Sequence, residues 1–331
     1  MAAPSPADLV DSFGRTVRDL RVSVTDRCNF RCTYCMPAEG MQWLDRTDVL
    51  SFDEIERVAR VCVERFGFDA VRITGGEPTM RAHLPALVRR LSTLGAEVSM
   101  TTNGATLAHA AHDLAAAGLA RVNVSIDSLR PDRFAAITGR PSLDTVLHGI
   151  TAAVDAGLAP VKLNVVLVRG VNDDEALDFA TFGRTHGLQV RFIEFMPLDA
   201  QGAWDRSSVV PADETVAAID AVYPLEAVAR HGAPAALWRY RDGRGEIGAI
   251  ASVTKPFCGD CDRVRMTAEG MFRNCLFALH ETDLRTLLRG GADDDALAAA
   301  IAGDVSRKWE GHHIGRVDFI RPGRSMSQIG G

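Results

Sequence analysis

The chain has 331 residues, is 47% hydrophobic but only 6% aromatic, and carries a formal net charge of -6. That acidic balance leaves no global basic field to hold nucleic acid, so any anionic ligand must be met by a local cluster of arginine and lysine. No apolar run approaches the ~20 residues a membrane-spanning helix needs, and the opening MAAPSPADLVDSFGR has neither the basic start nor the apolar stretch of a secretory signal, so a cytoplasmic location is expected.

From Leu20 to about Pro197, short β-branched runs alternate with amphipathic stretches. The expected strands are Leu20–Asp26, Val71–Thr74, Glu97–Thr102, Arg121–Asp127, Val161–Val168 and Gln189–Met196. Segments between them, such as DEIERVARVCVERF and LPALVRRLSTL, read as helices, several of which stop at a glycine (Gly67, Gly95, Gly118, Gly157, Gly187). Six strand-then-helix repeats imply an α/β fold with a parallel sheet and right-handed crossovers. Closed or nearly closed, that is a partial barrel of six βα units; an open doubly wound sheet is the alternative that periodicity leaves standing. Beyond about Ser207 the pattern changes to a helix (Ala212–Ala221), a hairpin in LWRYRDGRGEIGAIASVT, a cysteine-rich stretch, helices over Asp283–Leu288 and Asp294–Trp309, and the tail RPGRSMSQIGG. The expected division is a barrel over residues 1–225 and a smaller α+β region over 226–331 that closes it.

Of the seven cysteines, six fall into two triplets. In a cytosolic chain that pattern points to metal or redox chemistry instead of disulfides. The first triplet, Cys28, Cys32 and Cys35, has C-x3-C-x2-C spacing in a loop after the first strand, where barrel enzymes carry catalytic loops. Three thiolates can ligate three irons of a 4Fe–4S cluster and leave the fourth iron open. Structural zinc wants four ligands, and no histidine or fourth cysteine lies nearby. The second triplet is Cys258, Cys261 and, thirteen residues on, Cys275; alone, this spacing suits zinc as well as a cluster. Cys62, on the apolar face of the first helix, reads as core.

The first triplet with Tyr34 before its last cysteine, together with Gly75-Gly76-Glu77-Pro78 at the end of the second strand, resembles the paired motifs of radical S-adenosylmethionine enzymes. The resemblance implies a partial TIM barrel. It also implies a cluster whose open iron chelates S-adenosylmethionine and cleaves it to methionine and a 5′-deoxyadenosyl radical. Within that superfamily, the C-x2-C-x13-C spacing of the second triplet resembles the GTP 3′,8-cyclases of molybdenum-cofactor synthesis, in which a second 4Fe–4S cluster binds the purine of GTP. What this implies is abstraction of hydrogen from C3′ of the ribose, attack on C8 of the guanine, and 3′,8-cyclo-7,8-dihydro-GTP as product.

Between the rear cysteines sits Arg263-Val264-Arg265. On a strand, both arginines share one face, a costly arrangement without an anion. The family's pattern puts all three residues on GTP, with Arg263 and Arg265 also candidates for quenching the intermediate. Four of the strands carry polar residues at alternate positions (Arg21 and Ser23, Arg72 and Thr74, Asn123 and Ser125, Lys162 and Asn164), which must face the barrel interior or its mouth. Buried cations there need an anionic partner; ion pairs to Glu77, Asp127 or Glu194 are the structural possibility, a bound triphosphate the functional one. The family's pattern places Arg21, Arg72, Thr101 and Lys162 on GTP, and Tyr34, Gly76, Ser125 and Met196 on S-adenosylmethionine. It also sends a C-terminal Gly-Gly, here Gly330-Gly331, into the active site.

A radical enzyme that modifies a peptide is the rival from the same superfamily, and a zinc-stabilised scaffold the rival from outside it. The resemblance implies a flavodoxin-type electron donor, a homodimer, and the cyclic pyranopterin monophosphate synthase as the next enzyme. His312 and His313 read as solvated, and Trp204, Trp238 and Trp309 as packing residues.

Overall fold

All six expected strands form; the third keeps its expected bounds, the second gains a residue at its start, and the other four end sooner than expected. In the computed structural model, which describes residues 7–37, 41–199, 202–229 and 234–330, they are β1 (Asp19–Ser23), β2 (Ala70–Thr74), β3 (Glu97–Thr102), β4 (Arg121–Ser125), β5 (Lys162–Leu167) and β6 (Gln189–Glu194). The helices between them are α1 (Phe52–Phe66), α2 (Leu84–Ser92), α3 (Leu107–Ala116), α4 (Pro131–Thr138) with α5 (Leu143–Asp155), and α6 (Ala176–His186). The strands pair in parallel and in sequence order. An unbroken order with right-handed crossovers sets every helix on one face, whereas a doubly wound sheet reverses direction midway and is covered on both. The open doubly wound alternative is thereby excluded.

Local signals explain the elements. Ser51 and Glu54 form a reciprocal capping box at the start of α1, and Gly67 ends it in the left-handed region at φ 66°. The helix buries Ile55, Val58, Ala59 and Cys62, so the expected core cysteine is a core cysteine. Along the strands, Leu20, Val22, Val71, Ile73, Val98, Met100, Leu163 and Val165 pack under the helices. The intervening positions are left to the opposite, concave face.

The C-terminal region does not cap the barrel as a layer of its own. After α7 (Ala212–Asp220), the strands β7 (Leu225–Val228), β8 (Ala236–Tyr240) and β9 (Glu246–Ile250) form an antiparallel meander whose last member pairs in parallel with β6. At the other edge, β10 (Arg263–Met266) pairs in parallel with β1 and continues into β11 (Met271–Arg273) and β12 (Thr282–Asp283). One twelve-stranded sheet results, with eight parallel strands in a row and β7 and β12 at its margins. The helix expected over Asp294–Trp309 is α9 (Asp294–Val305), preceded by α8 (Leu284–Arg289) and followed near the end of the chain by α10 (Met326–Ile329). α9 stops short because the residues after Val305 turn inward, where Lys308 is only 3% exposed.

Candidate active site

The register of the sheet collects the predicted cations. Arg265 of β10 stands opposite Arg21 of β1, which stands opposite Arg72 of β2, and Ser99 of β3 completes the row. Three guanidiniums abreast on adjacent strands repel, and like charges directly opposite destabilise a sheet. The carboxylates that might have neutralised them are engaged elsewhere. Glu77 accepts hydrogen bonds from Thr79, Thr102 and the Asn103 amide, and Glu194 from the amides of Ala212, Val253 and Thr254. Asp127 accepts from the Tyr34 hydroxyl at 2.5 Å and the Val166 amide at 2.8 Å. The anion nearest Arg21 is Asp19, at 3.8 Å, and Arg21 Nε has no hydrogen-bond partner among the described residues. A buried guanidinium with an idle donor costs free energy until an anion arrives.

Burial, then neighbouring cations, pushes the Arg21 guanidinium well below its ordinary range and Arg265 down to about 10. Lys162, on the same concave face, is held at about 7 by burial and by Arg191, Arg121 and Arg72. In the empty site it is therefore charged below about pH 7 and neutral above. A polyanion beside it restores the proton, so GTP affinity should be flat below pH 7 and fall as pH rises through 8 and 9. Equilibrium dialysis of GTP across pH 6–9 reads this directly; Lys162→Met should flatten the profile, and an identical slope in that variant would exclude the lysine from binding.

The cavity above this floor is lined by Arg21, Arg72, Thr101, Arg263 and Arg265 of the set assigned to GTP and by Tyr34, Ser125 and Met196 of the set assigned to S-adenosylmethionine. Cys258, Cys261 and Cys275 line it as well. Lys162 lies at the first position of β5, outside the lining. The Val264 side chain is fully buried in the core on the opposite face of β10, so only its backbone can reach a ligand. Gly76 also lies off the lining and has a packing role. A Cβ there would stand 2.4 Å from the carbonyl oxygens of Asp26 and Arg27, so glycine is what lets this loop close on the loop bearing Cys28.

Two lining residues escaped the sequence. Arg191 faces Asn164 across β5 and β6 and adds a further cation, at about 10 through burial and Arg72. Its position alternates in β6 as Arg21 does in β1, and that period could have found it. His312, expected to be solvated, instead lines the cavity with its ring 4.9 Å from that of Phe277. Nothing local distinguishes it from His313, which pairs with Asp318 at 2.6 Å. Trp204 packs in the small second core and donates to the Phe195 carbonyl, but Trp309 is 40% exposed.

All six triplet thiols are free and partly buried. Amide donors already point at them: Phe30 N at 3.4 Å and Asn103 Nδ2 at 3.7 Å from Cys28 Sγ, and Phe277 N at 3.4 Å from Cys275 Sγ. Arg263 Nη2 lies 3.6 Å from Cys261 Sγ. Burial raises all three thiols of the first triplet, with Glu77 adding to Cys28 and neighbouring cysteines adding to Cys32 and to Cys35, which reaches about 12. For Cys261 burial raises as well, but Arg263 and Lys308 outweigh it and bring the thiol to about 7. No three histidine, cysteine or acidic side chains among the described residues converge as the ligands of a single ion would. Three soft thiol donors in each triplet, with N–H groups aimed at sulfur, suit an iron–sulfur cluster by their chemistry.

The tail runs between these two halves. Met326 lines the cavity, Ser327 Oγ donates to the Cys35 carbonyl at 3.3 Å, and the Arg265 guanidinium donates to the Gly330 carbonyl. Gly330 is buried at φ 85°, where a Cβ would stand 2.5 Å from Thr74 Oγ1. Gly331 lies outside the described residues.

Residues 22–183 match the Radical SAM superfamily, and residues 188–314 match Molybdenum Cofactor Synthesis C. A relative named GTP 3′,8-cyclase from Mycobacterium sp. (strain KMS) is 50% identical over 99% of this chain and 95% of its own. Relatives of the same name are each 48% identical: that of Mycolicibacterium smegmatis over 100% of this chain and 94% of its own, that of Streptomyces coelicolor over 98% and 96%. The chain belongs to the GTP 3′,8-cyclase family. It is a radical SAM enzyme of molybdenum-cofactor synthesis, and the zinc scaffold is set aside. Family membership carries S-adenosylmethionine and an iron–sulfur cluster with it.

Solved structures agree on the fold of this cyclase-family chain. Streptococcus suis SuiB bound to S-adenosylmethionine superposes with a TM-score of 0.59 at 14% identity, over 87% of this chain and 68% of that one. SuiB bound to precursor peptide SuiA gives 0.61 at 13%, over 88% and 67%. At such identity the likeness speaks to architecture alone.

Proposed function

We propose that this enzyme uses S-adenosylmethionine to convert GTP to 3′,8-cyclo-7,8-dihydro-GTP, the first step of molybdenum-cofactor biosynthesis. The observation that carries the reading is the row Arg265–Arg21–Arg72 facing a cavity that also exposes the second cysteine triplet. A triphosphate answers the unneutralised charge, and a purine reaches toward the thiols. A peptide offers no comparable anion.

In this reading Cys28, Cys32 and Cys35 hold one 4Fe–4S cluster and Cys258, Cys261 and Cys275 a second. The first, when bound, supplies the electron that splits S-adenosylmethionine. Tyr34, Gly76, Ser125 and Met196 hold the methyl donor, Gly76 by keeping its loop tight against the cysteine loop. Arg21, Arg72, Thr101, Lys162, Arg191, Arg263 and Arg265 hold GTP, with Val264 contributing backbone only. Their role is to fix the ribose against the donor, an orientation effect that can be worth several kcal/mol. Arg263 and Arg265 would deliver a proton, Gly330 completes the wall beside Arg265, and Gly331 belongs to the same catalytic tail. The same reading includes a barrel unit over 1–225, a C-terminal unit over 226–331, a flavodoxin-type electron donor, a homodimer in the cytoplasm, and delivery of product to the cyclic pyranopterin monophosphate synthase.

Anaerobic reconstitution followed by dithionite, S-adenosylmethionine and GTP deuterated at C3′ tests the proposal. Deuterium should appear in 5′-deoxyadenosine; unlabelled 5′-deoxyadenosine alone would reject GTP. Because Gly330 is closely walled, one residue added after Gly331 should cut product at least tenfold while iron content stays unchanged, and full activity would remove the tail from the site.

A further inference from the structure

Two buried cations outside the cavity grip the second cysteine loop from behind. Lys308, 3% exposed, donates to the carbonyls of Cys261 and Arg263, each at 2.9 Å. Arg15, 7% exposed, donates to the carbonyls of Cys258 at 2.7 Å, Glu310 at 2.8 Å and Trp309 at 2.5 Å. The two differ in compensation. Arg15 is paired with Asp11 at 2.5 Å, whereas Lys308 has no carboxylate within ion-pair distance among the described residues. The segment after α9 is pressed close to the same loop, since a Cβ on Gly311 would stand 3.0 Å from Cys258 Cβ. A buried ammonium whose only acceptors are peptide carbonyls is poorly compensated. Here the missing negative charge is what three thiolates and a cluster would bring.

Resting on the proposed second cluster, we infer that Lys308, backed by Arg15, is a positioning residue of that cluster: it holds the Cys258–Arg263 loop in its ligating shape and places a positive charge that favours the reduced cluster. The residue does not touch GTP or S-adenosylmethionine. It acts through the loop and through its field, as outer-shell partners do at other metal centres. A cation beside an iron–sulfur cluster stabilises the form with the extra electron, so its removal must move the midpoint potential to a more negative value.

The test uses the full chain carrying Cys28→Ala, Cys32→Ala and Cys35→Ala, so that any bound iron belongs to the second triplet. Iron per chain and the midpoint potential, followed by electron paramagnetic resonance during redox titration, are measured with Lys308, Lys308→Met and Lys308→Arg. The expected result is a more negative potential or loss of the iron in the methionine variant, with iron and potential restored by arginine. Unchanged iron and potential in a folded methionine variant overturn the inference. So does loss of iron, or of the fold, in both variants, because the site then needs the lysine's shape and not its charge. If the methionine variant alone unfolds while the arginine variant keeps its cluster, the charge requirement stands. Absence of iron in the background chain with Lys308 intact defeats the two-cluster reading instead, a distinct outcome.

Discussion

Cys275→Ala should keep S-adenosylmethionine cleavage and lose the cyclised product. The thiol sits on the cavity wall with Arg21 and Arg265, remote in sequence from the loop that carries Cys28, Cys32 and Cys35. Its removal should strip the iron of one four-iron cluster and leave the first site able to form 5′-deoxyadenosine in uncoupled turnover. In the proposed reading the second cluster pins the base, so product formation should drop at least about a hundredfold, the scale on which a misplaced substrate loses rate. Cys32→Ala should differ in kind, abolishing 5′-deoxyadenosine as well. Iron analysis with parallel chromatography of both products checks the pair. Coupled turnover near the wild-type rate in Cys275→Ala would show that the rear triplet is not part of the reaction.

Arg265→Ala is expected to have an effect of similar size by another route. The guanidinium is 5% exposed, stands in register with Arg21, and donates to the carbonyl of Gly330. Its loss removes charge-assisted hydrogen bonds worth roughly 1.5–3 kcal/mol each and also releases the tail. One such bond corresponds to about tenfold or more in rate, and loss of two together to about a hundredfold or more in kcat/KM for GTP. Arg265→Lys should recover only part, since an ammonium cannot span phosphate and carbonyl as a planar fork does. Steady-state kinetics with GTP, alongside an unchanged iron content, separate this loss from collapse of the cluster. A decrease of less than threefold would remove Arg265 from the substrate contacts.

The architecture was largely legible in the sequence. Alternating β-branched runs and glycine-stopped amphipathic stretches place all six strands, and period-two polarity puts Arg21, Arg72 and Lys162 on the face away from the helices. The first triplet and Gly75-Gly76-Glu77-Pro78 identify the chemistry because cluster ligation demands thiols at fixed intervals, whatever surrounds them. The close approach of Gly76 to the loop bearing Cys28 gives its backbone reason.

What only the tertiary structure decided is which charges meet. Arg265 follows Arg21 by more than two hundred residues, and nothing local says that β10 joins β1 while β9 joins β6. Sheet edges pair according to backbone geometry and the burial that results, a property of the whole chain and not of either segment. The same holds for His312, set against Phe277 by the turn after α9, and for Lys308, which lies beyond the end of α9 and is buried. The ion pairs open to Arg21 and Arg72 on sequence grounds were closed off because Glu77, Asp127 and Glu194 are consumed by backbone amides and hydroxyls. Composition supplies the number of charges; the fold decides where they gather, and in this enzyme Arg21, Arg72, Arg191, Arg263 and Arg265 gather on the cavity wall.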